Sequence, residues 1–510
     1  MRFLFPLVFL LGTTPLGSPK FAPTAENPVG WRGDGTGRYP GATPPTVWER
    51  KRNGNNYATK NIAWMSRLPA GGVSCPVIVG DRIFLTTEVS DLVCLEKASG
   101  RVLWIRSNPE FEGIPADERK ANPLYAQKLE PLLPALAKAN QDLVEDCNGA
   151  SAVKGGPLGA QPKKAELEKQ IQTELAAIDK KKFERNWAQA VFGFAGPTPI
   201  TDGKRVFVYF TTGIVACYDL NGNRKWIHRA GSGMGSEHGN FASPVLCGNR
   251  LVVWANELRG YDTETGKLVW TTPAKCHNTY GSMFRIFAGE WVAGFQAGHF
   301  VRARDGQAIW GNYVFGDAVP TPIVEAGYLF AWMGYPVANG DKQPFKAWKI
   351  PPGAENGKLS AGWDFKMEWA PEELPIDKKK NPFDRSFCAS PLFVDGLIYQ
   401  VTEGGGLFVN DAATGELVYR KVLPMKPKTE YWGWAGASAS PTLAGKHIYL
   451  MDNQGTTVVI QPGRVYKEVS INVLEESKDG KTQEQNVSTP IFEGSRMYYR
   501  TPTFLYCIGS

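Results

Sequence analysis

The sequence predicts an all-β fold: an eight-bladed β-propeller of four-stranded antiparallel blades, its ring closed by an N-terminal strand and interrupted by one helical insertion. Three observations predict it. The phrase "YDTETGKLVW" (261–270) recurs in altered form as "LEKASGRVLW" (95–104), "DLNGNRKW" (219–226), "RARDGQAIW" (302–310) and "NDAATGELVY" (410–419). A period of tens of residues is the mark of a repeat architecture. Between these phrases lie short runs such as "RIFLTTE", "RVFVYF" and "RLVVWAN" that alternate β-branched or aromatic residues, which is strand and not helix periodicity. Sixteen Trp and 55 Gly suit strands joined by many tight turns.

Each unit has three legible parts. A small residue with Pro opens an apolar run: "SCPVIV" (74–79), "PTPIT" (197–201), "SPVLC" (243–247), "PTPIV" (320–324), "SPLFV" (390–394), "SPTLA" (440–444), "STPIF" (488–492). A Gly turn and a strand follow, then a third strand such as "LVCLE", "VACYD" or "FLYCI". The D-x-x-T-G turn ends the unit, with Asp bonding its own backbone and Gly taking the left-handed position. The Trp after it is expected to lie flat between neighbouring blades, burying on the order of 200 Å². A meander with two apolar faces cannot stand alone, so its neighbours must stack on both sides. The eighth unit stops after its third strand, and "NIAWMSRLP" (61–69) is the expected donor of the fourth, which removes a free edge.

The remaining segments read differently. Residues 1–18 have a basic Arg2 and an apolar Phe3–Leu11 run, too short for the ~20 residues of a membrane helix and suited to a signal peptide. Residues 19–60 form an N-terminal extension, and 61–510 the propeller. Residues 107–190 interrupt it with two helical candidates, 129–146 and 163–182, the second placing Leu167, Ile171, Leu175 and Ile178 on one stripe. A helical hairpin standing off the ring is the expected product, with a lid or docking role as its functional reading.

Composition narrows function. The chain is 43% apolar and 21% charged, as soluble globular proteins are, and a formal charge of +7 spread over 510 residues argues against a nucleic-acid surface. No later apolar run spans a membrane, so the expectation is an exported monomer, periplasmic or extracellular. The eight cysteines include no CxxC, CxxCH or vicinal pair, and Cys94, Cys217 and Cys507 share one repeat position, which fits small buried side chains.

Repeats of this form resemble the pyrroloquinoline-quinone-type (PQQ-like) propellers, which include quinoprotein dehydrogenases and the non-catalytic BamB-like assembly propellers. "GWRGDGTGRYPG" (30–41) with "PPTVWE" (44–49) resembles the N-terminal extension of the planctomycete-type members. The resemblance implies PQQ and Ca²⁺ for the enzymes of the family, held under a vicinal disulfide that this sequence lacks. Loops entering the first strands should converge on one rim. There His238, Asn240, Arg385, Tyr431, Trp432 and Trp434 are the candidates for binding a planar ring with carboxylates, and Asp317 and Asp384 for Ca²⁺, with His277 and Tyr280 nearby. No catalytic residue is identifiable. The leading expectation is a non-catalytic binding or scaffold module for a protein or cell-envelope component, with no cofactor. The alternatives are a PQQ/Ca²⁺-dependent oxidoreductase of alcohols or sugars, and a carbohydrate-binding propeller.

Overall fold

Ile62–Arg67 runs antiparallel to Phe504–Ile508, register Arg67↔Phe504 to Ile62↔Ile508, so the first propeller strand completes the last sheet. In this computed structural model the described residues are 23–54, 56–149, 156–185, 193–231, 241–274, 276, 280–311, 313–316, 318–333, 345–354, 358–364, 382–383, 387–428, 436–476 and 487–510. They form a β-propeller in which six of the sheets are meanders with their strands in chain order, the first from Val77–Val79 through Val102–Ser107.

The expectation of eight four-stranded blades is corrected. Seven sheets are four-stranded blades, and the remaining one has seven strands. The reason is the N-terminal extension, which joins a sheet instead of lying outside the ring. Arg38–Tyr39 adds parallel to Thr442–Ala444, and Glu49–Asn53 adds parallel to the end of Lys467–Leu474, carrying Asn56–Lys60 with it as a hairpin.

The recurrent Trp sits where a pair of constraints meet. On its own blade it lies opposite a small residue of the third strand: Trp104↔Cys94, Trp226↔Cys217, Trp270↔Gly260, Trp64↔Cys507. A β-bulge follows each of these pairs, a device the sequence did not announce, and it turns the end of the strand outward. On the next blade the indole covers the turn glycine. A Cβ at Gly266, where φ is +71°, would stand 2.5 Å from Trp226 Cδ2, and Trp226 Nε1 donates to Thr263 O at 3.2 Å. Trp104 covers Gly222 and Trp270 covers Gly306 in the same way. The Asp of the turn holds the loop from within: Asp262 Oδ1 accepts from Thr265 N at 3.0 Å and Thr265 Oγ1 at 2.9 Å, bonds that lower its pKa.

Helices are few among the described residues. They are α1 (Ala116–Ala121), α2 (Leu133–Asn148), α3 (Gln161–Ile178) and α4 (Lys180–Phe183), with short 3-10 and π turns between Glu110 and Leu132. They do not stand off the ring, which corrects that expectation. Leu143 and Cys147 of α2 join the apolar core of the first blade, and Ile171 and Leu175 of α3 close a second cluster with Phe111, Leu129 and Leu136. Asn148 presents its amide to the outer edge of the blade, accepting from Val102 N at 2.9 Å and donating to Val102 O at 3.0 Å. The α3 residue Lys164, 4% exposed, meets the buried Asp91 Oδ2 at 2.7 Å.

Candidate functional site: the axial cavity

Pro at the entry of all inner strands but Phe284–Phe287 has a consequence for its neighbour. Pro offers no N–H to the ladder, and the N–H of the residue before it must find another acceptor. The next blade supplies it from a hydroxyl. Cys75 N donates to Thr198 Oγ1 at 2.9 Å, Thr198 N to Ser243 Oγ at 3.0 Å, Thr321 N to Ser390 Oγ at 2.9 Å, Ser390 N to Ser440 Oγ at 3.0 Å and Ser440 N to Thr489 Oγ1 at 3.1 Å. Ser282, which no Pro follows, keeps the pattern by donating to Thr321 Oγ1 at 2.7 Å, while Met283 N reaches back to Ser243 O at 3.1 Å. At the seam between first and last units, Ser488 Oγ donates to Ser74 O at 3.3 Å. A belt of small side chains therefore passes from sheet to sheet around the axis.

Inside this belt is a cavity of about 330 Å³. Thr198, Ser243, Ser282, Thr321, Ser390, Ser440 and Thr489 form its wall, with Cys75 and Cys388. Phe241 and Tyr280 also line it, their rings stacked with centroids 6.2 Å apart. Burial pushes the Cys388 thiol well above its ordinary range.

Trp31 lines the cavity from the N-terminal extension, and its neighbour fixes it there. Arg32, fully buried, donates through Nη1 to Pro391 O at 3.0 Å and through Nη2 to Pro441 O at 2.8 Å. Burial lowers its pKa to about 10. Val29 and Thr201 exchange backbone bonds of 3.0 and 2.8 Å, Arg38 pairs with Glu325, and Thr43 N donates to Gly494 O at 2.7 Å. Residues 29–43 are thus a strap tied to several blades, and the strap carries one indole into the axis.

Of the sequence candidates, His238, Asn240, Arg385, Tyr431, Trp432, Trp434, Asp317, Asp384 and His277 lie outside the described residues; Tyr280 is described and lines the cavity. His299 is buried between Phe295 and Tyr313 as a core residue. Trp31, Phe241 and the hydroxyl belt were not picked out. The belt had a signal, the Ser/Thr–Pro pair repeated at most units, whereas Trp31 occurs once and carries no periodicity.

The described wall offers hydroxyls, thiols and aromatic rings but no cation to meet the carboxylates of PQQ. No group of three or more His, Cys, Asp or Glu residues that would suit a metal occurs among the described residues. These residues do not by themselves fit PQQ with Ca²⁺.

Glu88, at the second-to-third-strand turn of the first blade, is a half-buried acid. Its carboxylate accepts from Phe194 N at 2.8 Å and Ala195 N at 2.8 Å, where the chain re-enters the ring after the helices. Burial raises its pKa from 4.5 to about 7 against the opposing pull of those two bonds and of Arg500.

No helix among the described residues is long and apolar enough to cross a membrane. No curated protein gives a significant match to the chain. Among solved structures, BamB from Moraxella catarrhalis is 14% identical, with a TM-score of 0.42 over 60% of this chain and 79% of that one. The quinohemoprotein alcohol dehydrogenase ADHIIG from Pseudomonas putida HK5 is 12% identical, with a TM-score of 0.46 over 88% of this chain and 76% of that one. The computationally designed Ika8 protein is 9% identical, with a TM-score of 0.49 over 88% of this chain and 100% of that one. A family model described as outer membrane protein assembly factor BamB matches residues 46–129, 149–286 and 380–507, more than half of the sequence. With its sheets, turns and axial belt accounted for, the chain belongs to that PQQ-like β-propeller family.

Proposed function

We propose that this protein is an exported, non-catalytic propeller that binds a protein of the cell envelope at the mouth of its axial cavity. The observation that carries this reading is the hydroxyl belt. The hydroxyl oxygens of Thr198, Ser243, Thr321, Ser390, Ser440 and Thr489 each accept a backbone N–H from the adjoining sheet, and each hydroxyl carries a proton of its own to donate. A wall of O–H donors beside a stacked aromatic pair complements the carbonyl groups of an inserted polypeptide loop. The strap with Trp31 supports the same reading, since a cavity lined at one end by a fixed indole suits a segment that enters and leaves by one mouth. The family description, an outer membrane assembly factor, supports export and an envelope partner.

The test is site-specific photocrosslinking in the native envelope. A photoreactive residue at Val487, which lines the cavity, should trap one dominant protein, and one at the exposed Glu264 should not. Ser438→Trp, which fills the cavity, should suppress that crosslink. Equal yields from Val487 and Glu264, or no effect of Ser438→Trp, would reject the reading.

A further inference from the structure

A second cavity, of about 210 Å³, lies between the strap and the inner strands of several blades. Trp31 and Thr321 border both cavities. Its apolar part is Trp31, Phe284, Trp291 and Phe393, and two groups of opposite charge, Arg285 and Asp34, also line it.

Arg285 is held ready for an anion. Its guanidinium lies over the Trp291 ring, 4.5 Å from the centroid, and Nη1 donates to Glu26 O at 2.8 Å. Among the described residues it has no carboxylate partner, although burial depresses its pKa. A half-buried guanidinium with donors to spare is matched best by a planar carboxylate. Asp34 differs. It is exposed on the strap, its Oδ1 accepts from Thr36 N at 2.9 Å and Thr36 Oγ1 at 2.6 Å, and its Oδ2 takes no bond among the described residues. The other acid of the cavity, Glu325, is neutralised by Arg38. One cation and one anion, near enough for the charge of Asp34 to act on Arg285 but without an ion pair between them among the described residues, therefore share a cavity with four aromatic rings.

We infer that this cavity binds a small zwitterion with an apolar body, an amino acid of the aromatic or branched class, with its carboxylate on Arg285, its ammonium on Asp34 and its side chain among Trp31, Phe284 and Phe393. Zwitterion binding does not rest on the envelope-partner reading. Because Trp31 borders both cavities, an occupant here touches the same indole that the partner segment would meet.

The experiment is calorimetric titration of the purified full chain with L-phenylalanine, L-tryptophan and L-leucine, and with phenylacetate and phenethylamine, which each keep one charge of phenylalanine. At least one amino acid should bind saturably, and phenylalanine about tenfold or more tighter than either one-charge analogue. Arg285→Gln should weaken phenylalanine about tenfold and leave phenethylamine unchanged. Asp34→Asn, on an exposed turn whose Oδ1 bonds an amide oxygen preserves, should weaken phenylalanine and leave phenylacetate unchanged. Absence of saturable binding by all three amino acids overturns the inference. So does phenylalanine binding no tighter than phenylacetate, or an affinity that both variants leave intact.

Discussion

Glu88 shows how one side chain can couple the ring to solution conditions. Raised from 4.5 to about 7 by burial, it is favoured in its protonated form by the fold. Its contribution to stability is therefore full below about pH 4.5 and is lost as pH rises through 7. Glu88→Gln keeps an Oε1 acceptor for Phe194 N and Ala195 N without the charge. The variant should melt with the wild type at pH 5 and above it at pH 8, by on the order of 1 kcal/mol in parallel thermal scans. Gly266 is a second single-residue test. A methyl group there meets the left-handed φ of +71° and the face of Trp226 together, so Gly266→Ala should cost about 2–4 kcal/mol in urea unfolding. A third is Arg32→Met, which leaves the carbonyls of Pro391 and Pro441 without their donors and should cost a similar amount, about 2–4 kcal/mol.

At the scale of elements, the helices and the strap are the parts that depart from the repeat, and both are tied down by buried polar groups. Lys164→Met would leave Asp91, 1% exposed, without its cation. The expected loss is about 3–5 kcal/mol of local stability. Hydrogen exchange should then show α2 and α3 opening while the strands of the blades stay protected; unchanged exchange in α3 would deny Lys164 that role. This division also marks how much the sequence disclosed. Strands, Asp–Gly turns and the interleaved tryptophans are repeated many times, and repetition made their period and their partners readable. Ile62–Arg67 was readable because the last unit lacked a strand. What failed was the seven-stranded sheet, because the pairing of Arg38–Tyr39 with Thr442–Ala444 joins segments far apart in the chain and is written in no local pattern. Trp31 and Arg32 were opaque for the same reason: their partners are backbone carbonyls, which every sequence contains. Apart from Tyr280, the rim residues named from sequence lie outside the described residues, whereas most of the belt was present in plain view as Ser–Pro and Thr–Pro pairs.

For the whole molecule, the strap and the closing strand have separable effects. A chain begun at residue 61 keeps Ile62–Arg67 but lacks Trp31, Arg32 and the three added strands; one begun at residue 69 also leaves Phe504–Ile508 as an open edge. Light scattering should find the first monomeric and less stable, and the second associated through its bare edge. If the shorter chain stays monomeric, the closing strand is dispensable.

The seam at Ile62–Arg67 and Phe504–Ile508 also bears on how the chain is born. Synthesis delivers one half of that junction before, and the other after, the blades that lie between them in the chain. A nascent polypeptide can stack sheet upon sheet as it emerges, yet it holds a half-finished edge in reserve throughout. Locking waits until Phe504–Ile508 has emerged, so machinery that engages the polypeptide before then meets an open arc.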